Sequence, residues 1–107
     1  MAAALTSGRT HHELLLIHAP GPLTGRRRGL YHIGIKMGDL LDELHAAKRE
    51  LEQAGVAISG MSDNTVSQSL YLTDPDGNEI ELYVDADEAL WKSYPEAVLS
   101  PIKPLAL

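Results

Sequence analysis

The chain has no cysteine and no phenylalanine among its 107 residues, and its aromatic residues are one tryptophan and four tyrosines. Without cysteine there are no disulfide bonds and no thiolate catalysis, a pattern that fits a cytoplasmic protein. Leucine, isoleucine and valine must therefore build the core, and a chain of this size buries only about two-thirds of its unfolded surface. The longest strongly apolar run, residues 14–17, is far too short to span a membrane.

Positive charge is also scarce. Nine Lys and Arg residues stand against 15 Asp and Glu residues, which gives a net charge of −6. This balance argues against nucleic acid and against anionic membrane surfaces as partners. The length indicates one small domain over residues 1–107, and a small molecule is the partner that we expect.

Residues 70–83 are the most informative stretch, because they predict a strand, a tight turn and a second strand. Asp74 begins a type I turn in which proline and glycine follow at the positions that favour it. After the turn, Ile80 and Leu82 alternate with polar residues. The alternation puts Glu81 in mid-strand on the face opposite the apolar one.

Residues 29–37 have the same alternation. Ile33 and Ile35 fall on one strand face, whereas His32, Gly34 and Lys36 fall on the other. An imidazole and a carboxylate on polar strand faces are a common beginning of a site for zinc, iron(II) or manganese. His32 and Glu81 are therefore the first candidate pair.

The remaining elements follow from local signals. Asp39 is the predicted N-cap of a helix with a leucine-rich stripe, and Gly55 is the predicted stop. Residues 19–29, rich in proline and glycine, form a predicted loop. The expected elements in chain order are a strand at 11–18, strand 30–37, helix 40–54, a weaker strand 56–61, strands 67–73 and 79–84, and a loosely packed tail at 85–107 with a short helical stretch.

The residues "GLYHIGI", an amphipathic helix and then "YLTDPDGNEIELY" resemble the vicinal oxygen chelate superfamily of glyoxalases, bleomycin-resistance proteins and extradiol dioxygenases. With "THHELLLI" before them, they are most similar to catechol 2,3-dioxygenase-like members. The resemblance implies an α+β fold with a curved mixed sheet: a complete βαβββ motif at 30–84, preceded by one extra strand at 11–18 that is left from an incomplete first motif.

The resemblance also implies a site. His32 and Glu81 match the metal-ligand positions of the family, and a third ligand is expected from Glu13, from His12 or from a partner chain. Tyr83, on the same face as Glu81, is the candidate catalytic residue, either as a pocket wall or as a hydrogen-bonding partner of the ligands. Ser67, Ser69 and Tyr71 are candidates for lining the pocket.

The implied function is metal-dependent ring cleavage of a small molecule with two adjacent oxygens, such as a catechol. Iron(II) is the favoured divalent metal, with zinc, nickel or manganese as alternatives. Three other functions stay open: a glyoxalase-type isomerase or lyase, a metal-free binding protein of the bleomycin-resistance type, and an inactive fragment. We expect a homodimer or higher oligomer, because one motif leaves the sheet with unpaired edges.

Two departures from the family pattern bear on activity. Most of the first motif, whose first strand usually supplies a metal ligand, is missing from this sequence. In addition, Asn64 stands where dioxygenase-like relatives usually carry histidine. An amide does not shuttle protons near neutral pH as imidazole does, so any activity is expected to be weak.

Overall fold

A computed structural model describes residues 2–18, 20, 29–86 and 88–105. It contains two sheets. Strands β1 (Ala2–Leu5) and β2 (Leu14–Ile17) form an antiparallel pair. The other five strands form one sheet: β3 (His32–Gly38), β4 (Gly60–Asp63), β5 (Ser67–Thr73), β6 (Glu79–Asp85) and β7 (Lys103–Pro104). Their order across the sheet is β3-β6-β5-β4-β7.

The predicted α+β fold with a βαβββ motif and a mixed sheet is confirmed. Helix α1 (Leu41–Gln53) connects β3 to β4, and β3 pairs with β6 in parallel while the other neighbours are antiparallel. The helix packs on one face of the sheet, where Leu44, Leu70 and Val84 are fully buried together. The opposite sheet face carries the polar residues of β3 and β6.

The β5–β6 hairpin forms as its turn chemistry predicts. The carboxylate of Asp74 accepts hydrogen bonds from the backbone N–H groups of Asp76 (2.9 Å) and Asn78 (2.7 Å). Gly77 has a φ of +86°, a left-handed conformation that favours glycine. The turn fixes the register in which Tyr71 lies opposite Glu81 and Ser69 opposite Tyr83.

The N-terminal region differs from the prediction. The strand expected at 11–18 is confined to Leu14–Ile17, and it pairs with β1, a strand that the sequence did not predict. Residues 10–12 instead form an irregular segment in which His11 is buried. The loop predicted at 19–29 lies mostly outside the described residues.

The ends of the helix also need correction. Asp39 is not the N-cap: Leu40 occupies that position without a side-chain cap, and Asp39 instead contacts Lys36 at 2.9 Å. Of the predicted apolar stripe, Leu44 is buried, whereas Leu40 and Leu41 are exposed. Gly55 follows the helix with a φ of +79°, as its predicted role as the stop requires.

The strand predicted at 56–61 lies at Gly60–Asp63, and the tail is more ordered than predicted. Helix α2 (Glu88–Ser93) and a 3₁₀ turn (Pro95–Leu99) follow β6, and β7 then pairs with β4. Ala97 in the 3₁₀ turn is buried against Val66. Among the described residues, no helix is long and apolar enough to cross a membrane.

Candidate metal and substrate site

The polar face of the β3–β6 pair brings the first two candidate residues together. His32 Nε2 lies 3.3 Å from Glu81 Oε1, and His32 Nδ1 lies 3.3 Å from Glu79 Oε2. Parallel pairing aligns Gly34 with Glu81, so the carboxylate leans across a residue that has no side chain. A Cβ atom at Gly34 would lie 3.1 Å from Glu81 Oε1 and 3.4 Å from Tyr83 Cε1. A side chain at position 34 would therefore crowd Glu81 and Tyr83.

The second oxygen of Glu81 is held by β5 and by the β4–β5 connection. Ser69, which is fully buried, donates its hydroxyl hydrogen to Glu81 Oε2 at 2.6 Å. The Tyr71 hydroxyl and Asn64 Nδ2 lie farther away, at 3.4 and 3.5 Å from the same oxygen. Oε2 is thus occupied by donors from the protein, while Oε1 faces His32.

Asn64 is a structural member of this network. Its Nδ2 donates to Ser69 Oγ at 2.8 Å, and its Oδ1 accepts from Ser62 Oγ at 2.9 Å. The Ser62 hydroxyl also lies 3.1 Å from the Tyr71 hydroxyl. Thr65, directly after Asn64, has a φ of +72°, a strained conformation for a β-branched residue and one of a kind that clusters at functional sites.

The network changes the acidity of both members of the pair. Burial opposes the charge on Glu81, but hydrogen bonds from His32 and Ser69 outweigh it and lower the pKa of the carboxyl group. The adjacent Glu81 carboxylate raises the pKa of His32, an effect that burial only partly offsets. At neutral pH, Glu81 is therefore ionised and is available as an anionic ligand.

Tyr83 lies beside Glu81, as the alternation predicted. Burial raises the pKa of its hydroxyl, and the nearby Asp85 and Glu81 carboxylates add to this effect. Its ring centre is 5.7 Å from that of His11. Tyr71 contacts Glu81 from the neighbouring strand, and the sequence had assigned it only to the pocket lining. The signal for this contact was the register of the β5–β6 hairpin, in which Tyr71 and Glu81 are directly opposite each other.

The N-terminal candidates separate in the structure. His11 is buried and its Nε2 lies 2.8 Å from Asp85 Oδ1, while its Nδ1 lies 2.7 Å from His12 Nδ1. Burial lowers the pKa of His12, and the neighbouring His11 adds to this effect. Through His11, His12 is connected to the Tyr83 side of the polar face, since the ring centres of His11 and Tyr83 are 5.7 Å apart. Glu13 is exposed and accepts hydrogen bonds from Ser7 instead.

The His32–Glu81 pair meets one requirement of a metal site. If two ligand atoms each lie about 2.1 Å from one metal ion, they are about 3.0 Å apart when the ligand–metal–ligand angle is a right angle and about 3.4 Å apart when it is tetrahedral. The observed Nε2–Oε1 distance of 3.3 Å lies in this range. His32 Nδ1 is a buried nitrogen that, despite its 3.3 Å distance to Glu79, makes no hydrogen bond of good geometry with the described residues.

A complete set of ligands is not assembled by the described residues alone. In those ranges, no three His, Cys, Asp or Glu side chains converge closely enough to hold a metal ion. A shallow cavity of about 660 Å³ lies elsewhere, bordered by Lys48, Glu52 and residues 55–61. None of the residues that border it belongs to the His32–Glu81 pair, so the cavity does not bear on this site.

The fold and the polar face define a class of protein. The chain belongs to the glyoxalase/bleomycin resistance protein/dioxygenase superfamily, whose sequence model matches residues 1–82. It is 47% identical over 93 residues to a catechol-2,3-dioxygenase of Bacillus subtilis (strain 168), an alignment that covers 84% of this chain and 32% of the relative.

Two further relatives come from Rhodococcus globerulus. Biphenyl-2,3-diol 1,2-dioxygenase 2 is 34% identical over 87 residues, and biphenyl-2,3-diol 1,2-dioxygenase 3 is 33% identical over 88 residues. Each alignment covers 76% of this chain and 44% of the relative. The chain thus spans between about a third and less than half of the length of the curated relatives that it matches. No solved structure matches it.

Proposed function

We propose that this chain is a dioxygenase-like protein in which His32 and Glu81 bind a divalent metal, with iron(II) favoured over zinc, nickel or manganese. The observation that carries the proposal is the 3.3 Å distance between His32 Nε2 and Glu81 Oε1 on one polar sheet face. The substrate is a small molecule with two adjacent oxygens, of the catechol type. The names of the three relatives support this choice of substrate.

The residues around the pair have distinct roles in this proposal. The bound metal would supply the centre that chelates neighbouring substrate oxygens and activates dioxygen. Ser69 holds Glu81 Oε2, which leaves Oε1 free to act as a ligand. Of the N-terminal candidates we favour His12 as the third ligand, because it contacts His11 beside Tyr83, whereas Glu13 is bonded to Ser7. His12 would have to approach the pair when the metal binds, since no three such side chains converge among the described residues. Tyr83 forms a wall of the pocket beside Glu81.

Asn64 limits the expected rate. Its amide donates to Ser69 and accepts from Ser62, so it stabilises the network but supplies no proton at neutral pH. The loss of a general acid or base typically removes about 10²–10⁴-fold in rate. Turnover is therefore expected to be slow even with the metal bound.

We also propose a homodimer, located in the cytoplasm as the lack of cysteine suggests. Strand β3 lies at one end of the sheet order, and Ile33, Ile35 and Met37 on its apolar face are 40–46% exposed. An exposed edge strand of this kind pairs readily with another chain. Ile35→Lys should shift the sedimentation coefficient from dimer to monomer at micromolar concentration. A wild-type protein that sediments as a monomer would contradict the proposal.

Metal binding is the direct test. The anaerobic, metal-free protein is titrated with iron(II), manganese(II) and zinc(II), and the bound metal is counted by elemental analysis. His32→Ala and Glu81→Ala should abolish stoichiometric binding, whereas His18→Ala and Glu50→Ala, at exposed positions, should not. Equal binding by all four variants would show that the pair is not the metal site.

Activity separates the remaining alternatives. Oxygen uptake with catechols under iron(II) tests ring cleavage, and isomerisation of a thiol adduct under zinc or nickel tests the glyoxalase-type reaction. Asn64→His should raise the rate in the first assay because it restores an imidazole. If both assays are silent for the wild type and the variant, a binding or vestigial role replaces the enzyme.

A further inference from the structure

A cluster of ionisable side chains around the buried Asp85 lies next to the candidate site and has no part in the proposed chemistry. Lys36, Asp85 and His11, here called the Asp85 cluster, come from β3, β6 and the N-terminal segment. Asp85 Oδ2 lies 2.9 Å from Lys36 Nζ, and Asp85 Oδ1 lies 2.8 Å from His11 Nε2. Asp85 is 9% exposed and His11 7% exposed. Each oxygen of this carboxylate therefore has its own partner.

The cluster joins two parts of the chain that are far apart in sequence. His11 and Asp85 are 74 residues apart. The β1–β2 pair to which His11 is connected is a separate two-stranded sheet, and such a pair is marginally stable by itself. Its position on the main sheet must therefore come from a few tertiary contacts, of which the His11–Asp85 contact is buried.

The next residue connects the cluster to the site. His11 Nδ1 lies 2.7 Å from His12 Nδ1, and the two rings are 4.6 Å apart. The His11 ring also contacts the Tyr83 ring at a tilt of 57°, and the Tyr83 ring lies near Gly34 and Glu81. A residue that fixes His11 thus also fixes where His12 lies relative to the His32–Glu81 pair.

We propose that Asp85 is a positioning residue that holds the N-terminal segment against the polar sheet face and thereby sets where His12 lies relative to His32 and Glu81. The role of His12 as a ligand rests on the function proposed above, whereas the attachment of the segment does not. Lys36 contacts Asp85 from the neighbouring strand, and its ammonium group is itself held by a second contact with Asp39 at 2.9 Å. Residues that orient ligands from outside the site typically change metal affinity by about 10–100-fold.

The first arm of the test uses the metal-free protein. In Asp85→Ala, hydrogen exchange of the backbone amides at residues 11–17 should accelerate about tenfold or more, while residues 67–73 in β5 stay protected. Glu13→Gln is the matched control, because Glu13 lies in the same segment but is exposed and bonded to Ser7. If Asp85→Ala does not fold, His11→Ala breaks the same contact and leaves Asp85 paired with Lys36. Unchanged exchange at 11–17 would overturn the proposal.

The second arm follows zinc(II) by nitrogen-15 NMR of the imidazole rings. In the wild type, zinc should shift the ring nitrogens of both His32 and His12, and in Asp85→Ala those of His32 alone. Zinc affinity should fall about tenfold or more in Asp85→Ala and no further in Asp85→Ala combined with His12→Ala. These readouts follow the position of His12, and a general loss of stability would not reproduce them.

The outcomes separate the two proposals. If zinc shifts His32 but leaves His12 unchanged in the wild type, the placement of His12 is wrong and the metal site at His32 and Glu81 stands. If zinc shifts neither histidine, the proposed metal site fails. In that case the exchange of residues 11–17 in Asp85→Ala still decides whether Asp85 holds the segment.

Discussion

Ser69 provides the sharpest test of how the site is organised. Its side chain is fully buried, it donates to Glu81 Oε2 at 2.6 Å, and it accepts from Asn64 Nδ2 at 2.8 Å. Ser69→Ala removes both bonds and leaves Glu81 Oε2 with two long contacts, 3.4 Å from Tyr71 and 3.5 Å from Asn64. Hydrogen bonds to charged groups contribute about 1.5–3 kcal/mol. We expect the variant to lose about 2 kcal/mol of unfolding free energy.

The assay is urea denaturation at neutral pH, supported by thermal melting, where 2 kcal/mol corresponds to a Tm shift of about 8 °C or more for a domain of this size. Ser67→Ala is the matched control. Ser67 is also a buried serine of β5, but its hydroxyl has a 3.4 Å contact with Asn64 rather than a short bond to Glu81. We expect Ser67→Ala to cost about 0.5 kcal/mol.

A double-mutant cycle tests whether the hydrogen bond to the charged Glu81 carboxylate causes the loss of stability in Ser69→Ala. In a Glu81→Gln background the acceptor is neutral, so Ser69→Ala should cost only about 1 kcal/mol. The reasoning is refuted if Ser69→Ala destabilises the protein no more than Ser67→Ala does. It is also refuted if the cost is the same with and without the charge on residue 81, because the serine would then act through packing alone.

Two further predictions concern the His32–Glu81 pair. Gly34→Ala should lower metal affinity about tenfold, because its Cβ would crowd Glu81 Oε1, whereas Gly60→Ala, whose nearest contact would be 3.9 Å away, should not. The raised pKa of His32 stabilises the folded protein at low pH, and this contribution is lost as the pH rises through the pKa of folded His32. The lowered pKa of Glu81 stabilises the folded protein at higher pH, and this contribution is lost as the pH falls through the pKa of folded Glu81. The destabilisation caused by His32→Gln in the metal-free protein should therefore be largest between about pH 4.5 and 6.5, which are the ordinary pKa values of the two groups. Urea titrations at several pH values measure it, and a destabilisation that does not change with pH would contradict the pairing.

The elements that depend on local chemistry could be predicted from the sequence. The β5–β6 hairpin follows from Asp74 and Gly77, whose side-chain acceptor and positive φ determine the turn without help from the rest of the chain. The alternation of β3 and β6 likewise put His32 and Glu81 on polar strand faces. Their contact required one more fact, the parallel pairing of β3 with β6, which the alternation of each strand does not determine.

The elements that depend on distant contacts could not be predicted. Strand β1 has no apolar–polar alternation, and it is defined by its pairing with β2. Strand β7 has two residues and depends on β4 in the same way. The burial of His11 depends on Asp85, 74 residues later. Asp39 had the right residue type for a helix cap, but its contact with Lys36 competes with capping.

Asn64 and Ser69 form one chain of hydrogen bonds that ends on an oxygen of Glu81. A histidine at position 64 would change its donors and acceptors near neutral pH, since its ring nitrogens exchange protons there. The Asn64 amide keeps one donor and one acceptor at all pH values and joins Ser62 to Ser69. The result is a carboxylate with one oxygen fixed by the protein and the other directed at His32. Such an arrangement fixes the carboxylate and supplies no proton near neutral pH, so the activity proposed above is expected to be slow.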